Sequence, residues 1–345
     1  MRYEHRAKAS AVYSIVSEFT LISQYCQDLG VEHHETRIGI GDDAAVVTVP
    51  VGMELAISVD TMVEGIHFFP DVDPATLAHK LLAVNLSDMA AMGAEPKWAT
   101  LALTLAKPND AWLSAFSMSL DKSAKRCGVQ LIGGDTTQGP LTLSMQIMGL
   151  LPKGKALSRT DAKPGEYVYV TNTVGDAALA LAYRQHAKQL EGMEFADTVV
   201  NRLTQALELP EPQIAVGQAL LKHAGACIDV SDGLVADLTH LAEQSGVSIE
   251  LDVNRVPLSD DYQRYLRQGG NLQLALTGGD DYQLAFTASP KHAKRLRMLE
   301  QSLGVSLTNI GKVVERAAQP LNLLAAGVEY KLSREAGYQH FKESK

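Results

Sequence analysis

The aspartates that could do chemistry mostly follow glycine or serine, or stand where a predicted strand ends. They are Asp42, Asp43, Asp60, Asp88, Asp135, Asp229, Asp232, Asp280 and Asp281. Carboxylate oxygens suit Mg²⁺, which is usually held by a few carboxylates together with waters and substrate phosphates. The neighbouring glycines, as in Gly133-Gly134 and Gly278-Gly279, let backbone amides approach phosphate oxygens closely. The pattern therefore predicts segments that bind a Mg²⁺–phosphate unit.

Each of these pairs also has a simpler explanation. A single Gly-Asp pair is more often an ordinary turn than a ligand, and a single Ser-Asp pair is more often a helix cap. Asp71 and Asp73 are better explained in this way, because Asp73-Pro74 is a helix start signal. For the whole set the simpler explanation weakens, since ordinary turns do not need an acid at nearly every glycine-rich strand end.

Other kinds of chemistry find little support in the sequence. There is no Walker loop, no GxGxxG dinucleotide fingerprint and no serine nucleophile elbow. Cys26, Cys127 and Cys227 are widely spaced and form no CxxC pair, so neither a disulfide framework nor a zinc knuckle is indicated. His67 follows the strand that ends at Asp60, and from the residues alone a buried structural histidine is the simpler interpretation.

Size and charge limit the possible partners. The chain has 345 residues, of which 46% are hydrophobic, and this length predicts two α/β domains rather than one. The formal net charge of −9, without a Lys/Arg block, argues against nucleic acid or an anionic membrane as partner. No signal-peptide pattern or apolar run of about 18 residues occurs. We expect a soluble, unprocessed, cytoplasmic protein with a small-molecule partner.

The elements that must position the aspartates can be predicted from periodicity and capping. An amphipathic helix between Ser10 and Gly30 opens the chain, and residues 44–49 and 54–59 predict a hairpin. Helices are predicted over 73–92 and 110–127, and strands over 97–106, 129–132 and 141–150. The Pro- and Gly-containing segment 151–166 predicts a boundary between domains 1–150 and 151–345.

The second domain repeats this alternation. Helices are predicted near 176–188, 196–208 and 212–223, followed by a strand ending at Val230 and a helix over 234–244. Residues 84–88 resemble residues 228–232, and each segment precedes a Gly-Gly-Asp at a similar distance. Either chance or an ancient duplication explains this match, and a duplication would place the two motifs alike in both halves.

The motifs taken in order resemble the thiamine-monophosphate kinase family over nearly the whole chain. They are GIGDDAA (39–45), SVDT (58–61), EGIHF (64–68), NLSD (85–88), AMGA (91–94), GGDTT (133–137), SRT (158–160), KPG (163–165), DVSDGL (229–234) and GGDDY (278–282). The ordered combination is far more specific than any member of it.

This resemblance implies a fold and an activity. The fold is the two-domain α/β (α+β) fold of the aminoimidazole ribonucleotide synthetase-like superfamily. Its N-terminal domain, 1–150 here, binds ATP and Mg²⁺ and has a mixed sheet that joins its mate in a homodimer, and 151–345 form a C-terminal α/β domain. The implied activity is Mg²⁺-dependent, direct in-line transfer of the ATP γ-phosphate to thiamine phosphate, giving thiamine diphosphate and ADP, without a general base.

The resemblance also implies roles for individual residues. The implied ligands of several Mg²⁺ ions are Asp43, Ser58, Val59 through its carbonyl, Asp60, Asp88, Asp135, Asp229 and Asp232, with Asp135 the most critical. The implied ATP contacts are Gly134, Asp135, Arg159 and Ser231, and the implied thiamine phosphate contacts are His67, Asp280 and Glu335. Two positions depart from the family pattern: Asp280 is usually glutamate and Glu335 is usually aromatic, a face that Tyr338 could supply instead.

Two rivals stay open at this stage. An aminoimidazole ribonucleotide synthetase would use the same superfamily fold on another substrate, whereas a nucleotide or Mg²⁺ sensor would keep the binding motifs without turnover. Selenophosphate synthetase is disfavoured because no cysteine stands in the early glycine-rich segment, and the hydrogenase maturation factor is disfavoured because the C-terminal residue is Lys345, not cysteine.

Overall fold

The N-terminal half is built on a four-stranded mixed sheet. The computed structural model describes residues 18–332 and residue 337, so the predicted helix start at Ser10 lies outside the described residues. The elements in this half are α1 (Glu18–Tyr25), β1 (Thr36–Ile38), β2 (Val46–Val47), β3 (Met53–Val63), α2 (Pro74–Met92), β4 (Glu95–Leu105), α3 (Asp110–Cys127), β5 (Gln130–Gln138) and β6 (Thr142–Pro152). The strand order is β3-β6-β4-β5, with β4 and β5 parallel and the other pairs antiparallel.

The C-terminal half contains a seven-stranded sheet. Its elements are β7 (Tyr167–Thr171), α4 (Asp176–Arg184), α5 (Asp197–Glu208), α6 (Ile214–Leu220), β8 (Ala224–Val230), α7 (Leu234–Ser245), β9 (Ser248–Asp252), α8 (Asp260–Arg267), α9 (Gln273–Thr277), β10 (Gln283–Ala288), α10 (Ala293–Leu303), β11 (Leu307–Val314), β12 (Leu321–Ala325) and β13 (Val328–Glu329). The strand order is β13-β12-β9-β11-β7-β10-β8, with β12 and β9 parallel. The predicted mixed α/β fold is therefore confirmed.

Helix α2 is the element on which the site depends most. It begins where the sequence predicts, because the Asp73 carboxylate accepts hydrogen bonds from the amides of Ala75 and Thr76 and Pro74 opens the first turn. It ends at Gly93, whose φ of 71° suits a left-handed cap. Most of its side chains are buried, which is typical of a helix enclosed on several sides rather than lying at a surface.

The two halves share a packed core across α2. Ala90 and Ala91 of α2 belong to one buried cluster with Leu220 of α6 and Phe286 of β10. The approach of α6 to α2 requires a glycine at position 217, since a Cβ there would lie 2.0 Å from the carbonyl oxygen of Ala90. The α2 side chains are therefore held rigidly against residues of the C-terminal half.

The structure contradicts one local prediction and does not support the duplication. Residues 44–49 and 54–59 do not form a hairpin, because β2 pairs with β1 whereas β3 pairs along its length with β6. Residues 84–88 lie inside α2, whereas residues 228–232 run from the end of β8 into a loop, so the two similar segments are not placed alike. The apolar pattern identifies a strand, but it does not specify which other strand pairs with it.

Among the described residues, no helix is long and apolar enough to cross a membrane.

Candidate functional site

Two cavities contain most of the predicted site residues that the structure describes, whereas Ser58 and Arg159 line neither of them. The first, which we call the acidic cavity, has a volume of about 890 Å³ and is lined by Asp60, Asp88, Asp229, Ser231, Asp232, His67 and Asp280 among others. The second, which we call the edge cavity, has a volume of about 640 Å³ and is lined by Asp43, Gly134 and Asp135 among others. Residues distant in sequence therefore come together, but in two groups.

The predicted metal-binding carboxylates of the acidic cavity come from three elements and one loop. Asp60 lies on β3, Asp88 lies on α2, and Asp229 lies at the end of β8. Asp232 stands in the loop that joins β8 to α7. Because α2 packs against both β3 and β8, residues of the two halves face one cavity.

Two serines hold these carboxylates in place. The Ser58 hydroxyl donates a 2.5 Å hydrogen bond to Asp88 Oδ2, and the Ser87 hydroxyl donates a 2.8 Å hydrogen bond to Asp229 Oδ2. Both hydrogen bonds join different elements, and the second joins the two halves of the chain. Ser58, a predicted metal contact, here orients a neighbouring predicted ligand.

Burial gives the acidic cavity unusual electrostatics. Burial raises the pKa of Asp229 to about 7, and the nearby Asp88 carboxylate adds to this effect. Burial, followed by repulsion from Asp88 and Asp232, raises the pKa of Asp60 to about 6. Burial also raises the pKa of Asp88, against the opposing effects of the Ser58 hydrogen bond and the Arg159 charge. Burial and mutual repulsion therefore both favour the protonated forms of these carboxyls in the metal-free cavity.

Asp237 shapes the loop between β8 and α7, and the sequence reasoning did not identify it. Its Oδ2 accepts hydrogen bonds of 3.1 Å from the amides of Ser231, Asp232 and Gly233. Burial, with repulsion from Asp229 and Asp232, raises the pKa of Asp237 to about 7. Helix α7 starts after Gly233, which has no side chain to cap it. An acidic residue in the first turn of such a helix is the sequence feature that could have indicated this role for Asp237.

The other end of the acidic cavity combines polar and apolar groups. His67 Nδ1 accepts a 3.0 Å hydrogen bond from the Val63 amide, and Asp280 faces the same cavity. Asp280 Oδ1 lies 3.1 Å from Lys80 Nζ and accepts a 3.1 Å hydrogen bond from the Tyr282 hydroxyl. Tyr282 belongs to the GGDDY motif but had no predicted role, and nothing in the local sequence around Lys80 marked it as a site residue. The apolar wall is formed by Phe68, Phe69, Leu77, Leu181 and Leu207.

The edge cavity lies beside β5, at the free edge of the four-stranded sheet. The Gly133-Gly134-Asp135 motif stands within β5, and Gly134 pairs with Leu101 of β4. A Cβ at position 134 would lie 1.9 Å from the Leu101 carbonyl oxygen, so the strand approach requires glycine. Asp42 Oδ1 accepts a hydrogen bond from the Asp43 amide, which agrees with a turn role for Asp42.

The sheet register keeps the two groups of carboxylates apart. Asp60 on β3 is opposite Met145 on β6, which is opposite Leu101 on β4, which is opposite Gly134 on β5. Three strand spacings separate Asp60 from Gly134, which corresponds to about 14 Å between backbones. A single chain therefore does not bring Asp135 to Asp60 as one ligand set. Glu335 and Tyr338 lie outside the described residues.

The residues of the acidic cavity fit a hydrated cation better than a bare one. Within the described part of the chain, no three His, Cys, Asp or Glu side chains form a ready-made metal cage. Mg²⁺ does not require such a cage, because it keeps several waters and uses substrate phosphates as ligands. Burial, followed by repulsion from neighbouring carboxylates, raises the pKa values of Asp60 and Asp229, and a divalent cation would favour their ionised forms.

Comparisons with known proteins agree with this fold. Sequence profiles of the AIR synthase related protein N-terminal domain and C-terminal domain match residues 41–151 and 163–320. Thiamine-monophosphate kinase of Salmonella typhimurium is 44% identical over 324 residues, covering 94% of this chain and 98% of that protein.

Solved structures are similar to this chain over most of its length. Thiamine-monophosphate kinase from Stenotrophomonas maltophilia K279a matches with a TM-score of 0.78 and 38% identity, covering 87% of this chain and 93% of that chain. AaThiL complexed with AMPPCP and TMP matches with a TM-score of 0.73 and 29% identity, covering 94% and 97%.

Two α/β halves joined around an acidic cavity, together with both domain profiles, define an AIR synthase related protein. Within that group, the similarity to thiamine-monophosphate kinases is decisive, because it covers 94% of this chain at 44% identity for one relative and 87% at 38% identity for a solved structure. The chain belongs to the thiamine-monophosphate kinase family.

Proposed function

We propose that this chain transfers the γ-phosphate of ATP to thiamine phosphate and releases thiamine diphosphate and ADP. The observation that carries the proposal is the acidic cavity, which presents carboxylates at one end and an apolar wall beside His67 and Asp280 at the other. Such a cavity suits a substrate with phosphate and aromatic parts. The match to AaThiL complexed with AMPPCP and TMP supports the same pair of substrates.

The reaction requires positioning rather than proton abstraction. An oxygen of thiamine phosphate forms a bond to the γ-phosphorus of ATP, while the bond from that phosphorus to the β–γ bridging oxygen breaks and ADP leaves. The attacking phosphate oxygen is already ionised near neutral pH, so a general base is not needed. The task of the protein is to align two polyanions.

The carboxylates would hold Mg²⁺ in both cavities. In the acidic cavity the proposed ligands are Asp60, Asp88, Asp229 and Asp232, assisted by Ser58 and the Val59 carbonyl, and in the edge cavity they are Asp43 and Asp135. When bound, Mg²⁺ supplies the positive charge that offsets the charge of the phosphates. Ser58 and Ser87 orient Asp88 and Asp229 for this role.

The remaining polar residues would bind the two substrates. Gly134 leaves the β5 backbone open to a phosphate, and Arg159 acts electrostatically on Asp88 and Asp229 from an exposed position. Ser231 presents its hydroxyl in the loop held by Asp237. His67 and Asp280 would contact thiamine phosphate, and we keep Glu335 as a proposed contact for the thiamine ring.

The exposed face of β3 is the surface through which two copies of this chain would form a homodimer. Ile57 and Val59 are 57% and 63% exposed on this edge strand, which leaves apolar surface that a second copy could cover. In this arrangement residues 1–150 provide ATP and Mg²⁺ binding and dimerisation, and residues 151–345 form the second domain.

We expect the enzyme in the cytoplasm, where Cys26, Cys127 and Cys227, which form no disulfide here, stay reduced.

Mass spectrometry of the reaction mixture tests the proposed function directly. The protein is incubated with ATP, Mg²⁺ and thiamine phosphate, and we expect equimolar thiamine diphosphate and ADP. A parallel reaction offers formylglycinamidine ribonucleotide in place of thiamine phosphate. Consumption of ATP only in the parallel reaction would overturn the proposal in favour of an aminoimidazole ribonucleotide synthetase. Nucleotide binding without any product would favour a sensor.

A further inference from the structure

Lys80 is an unusual residue for the position it occupies. It lies on α2 with a side chain that is only 7% exposed, and it is the one lysine or arginine among the described residues that line the acidic cavity. A buried ammonium group is costly unless it is paired and hydrogen-bonded. Its ion-pair partner is Asp280, 3.1 Å away and 28% exposed, so the pair joins the two halves of the chain.

Helical spacing directs Lys80 to the cavity. Lys80, Val84 and Asp88 follow one another at intervals of four residues, and all three line the acidic cavity. Side chains at this spacing lie along one face of a helix, and eight residues correspond to a rise of about 12 Å. Helix α2 therefore carries a carboxylate at the acidic end of the cavity and an ammonium group near its apolar end.

The loop that carries Asp280 is held in a strained conformation. Asp280 and Tyr282 have φ values of 68° and 48°, a region that non-glycine residues rarely adopt. The Asp280 amide donates to the Ser231 carbonyl and the Tyr282 amide donates to the Val230 carbonyl. The loop is therefore hydrogen-bonded directly to the segment that carries Asp229, Ser231 and Asp232.

Both polar contacts of Asp280 go to one oxygen. Lys80 Nζ lies 3.1 Å from Oδ1, and the Tyr282 hydroxyl donates to the same Oδ1 over 3.1 Å. The described part of the chain provides no hydrogen-bond donor to Oδ2. The ammonium group of Lys80 and the hydroxyl of Tyr282 therefore both hold Oδ1, which leaves Oδ2 available to a ligand in the cavity.

We propose that Lys80 is a positioning residue for substrate binding: together with Tyr282 it orients the Asp280 carboxylate toward the cationic ring portion of thiamine phosphate. This inference rests on the proposed function. The cavity is otherwise lined by acids, namely Asp60, Asp88, Glu208, Asp229, Asp232 and Asp280. Without the ammonium group, repulsion within this set would turn the Asp280 carboxylate away from its binding position.

The test is the Lys80→Met variant, which keeps the length of the side chain and removes its charge. The dissociation constant of thiamine phosphate is measured by calorimetry without ATP, and steady-state constants are measured with both substrates. We expect the dissociation constant and KM for thiamine phosphate to rise at least about tenfold, because a displaced contact group loses much of its effect. The kcat and the KM for ATP should stay within about twofold, as expected when an interaction made equally in ground and transition states is lost.

Three controls separate positioning from a general structural role. Lys97→Met removes another largely buried lysine that pairs with a glutamate, Glu95, outside both cavities, and it should leave all constants unchanged. In the Asp280→Asn background, Lys80→Met should add less than about twofold to KM, because the two residues act as one unit. Lys80→Gln, which retains a donor of similar reach, should bind thiamine phosphate more tightly than Lys80→Met.

The possible outcomes distinguish this inference from the proposed function. An unchanged dissociation constant in Lys80→Met, with normal turnover by the unaltered protein, overturns the inference alone. The inference would also be overturned if KM for thiamine phosphate in the double variant rose by the product of the two single effects. Equal losses in every constant for Lys80→Met and Lys80→Gln would overturn it as well. A failure of the unaltered protein to convert thiamine phosphate would overturn the proposed function and this inference with it.

Discussion

Replacement of Asp229 by asparagine tests the electrostatics of the acidic cavity. The side chain is buried at the end of β8, where burial and the neighbouring Asp88 raise its pKa from 3.8 to about 7. The folded protein therefore keeps this proton to a higher pH than the unfolded chain does. Stability from the neutral carboxyl is present at low pH and is lost as the pH rises toward 7. At 1.36 kcal/mol per pKa unit, the ionised form destabilises the metal-free fold by at most about 4 kcal/mol.

Asp229→Asn removes this ionisation while it keeps an oxygen that can accept the Ser87 hydrogen bond. We expect the variant, without metal, to exceed the unaltered protein in free energy of unfolding by about 1 to 4 kcal/mol at pH 8. The difference should shrink steadily toward pH 5, where the unaltered carboxyl is protonated in the folded state. Mg²⁺ should stabilise the unaltered protein more than the variant, because the variant has lost a carboxylate ligand.

Urea unfolding in EDTA at pH 5, 6.5 and 8, repeated with Mg²⁺, measures these differences. Asp161→Asn is the matched control, since Asp161 is exposed, and it should shift the free energy of unfolding by less than about 0.5 kcal/mol at every pH. The reasoning is refuted if Asp229→Asn is less stable than the unaltered protein at pH 8, or if its advantage does not depend on pH.

Three further substitutions test other parts of the site. Asp135→Asn should lower kcat at least about hundredfold while the urea midpoint stays constant, because it removes a charge from an exposed site and little packing; wild-type turnover at saturating Mg²⁺ would contradict the role of Asp135. Gly134→Ala should raise the KM for ATP and lower the free energy of unfolding by about 1 to 3 kcal/mol, because its Cβ would meet the Leu101 carbonyl oxygen at 1.9 Å. Gly133→Ala is its control, with an ordinary 3.7 Å contact to a side-chain methyl group, and equal effects of the two alanines would contradict the steric argument. Asp237→Ala should cost about 2 to 4 kcal/mol in urea unfolding, since three amides lose their acceptor, and should weaken Mg²⁺ binding by titration calorimetry; unchanged Mg²⁺ affinity would show that the loop keeps its shape without Asp237.

Local signals allowed the sequence to predict several elements closely. Helix α2 starts at Pro74 and ends at Met92, and α3 runs from Asp110 to Cys127, both as predicted. Caps and stops act within one turn of a helix, so their residues are neighbours in sequence as well as in space. The strand that ends at Val230 and the helix that follows at Leu234 were also predicted, from the local apolar pattern.

Contacts between distant segments were beyond the sequence reasoning. The hairpin prediction failed because alternating apolar residues indicate a strand but leave its partner open. Lys80 and Asp280 form an ion pair between α2 and a loop of the other half, and neither residue carries a local signal for the other. Asp237 is close in sequence to the loop that it shapes, but only the folded turn directs the three amides to its carboxylate.

The sequence by itself determined the chemistry of this protein: aspartates beside glycines, in an order that identifies the thiamine-monophosphate kinase family and an acidic phosphate-handling site. Only the tertiary structure decided how these residues are grouped, with Asp60, Asp88, Asp229 and Asp232 in one cavity and Asp43 and Asp135 in another. The physical reason is that residue types set which ligands a site can bind. Strand register and helix packing set which side chains are close enough to bind one.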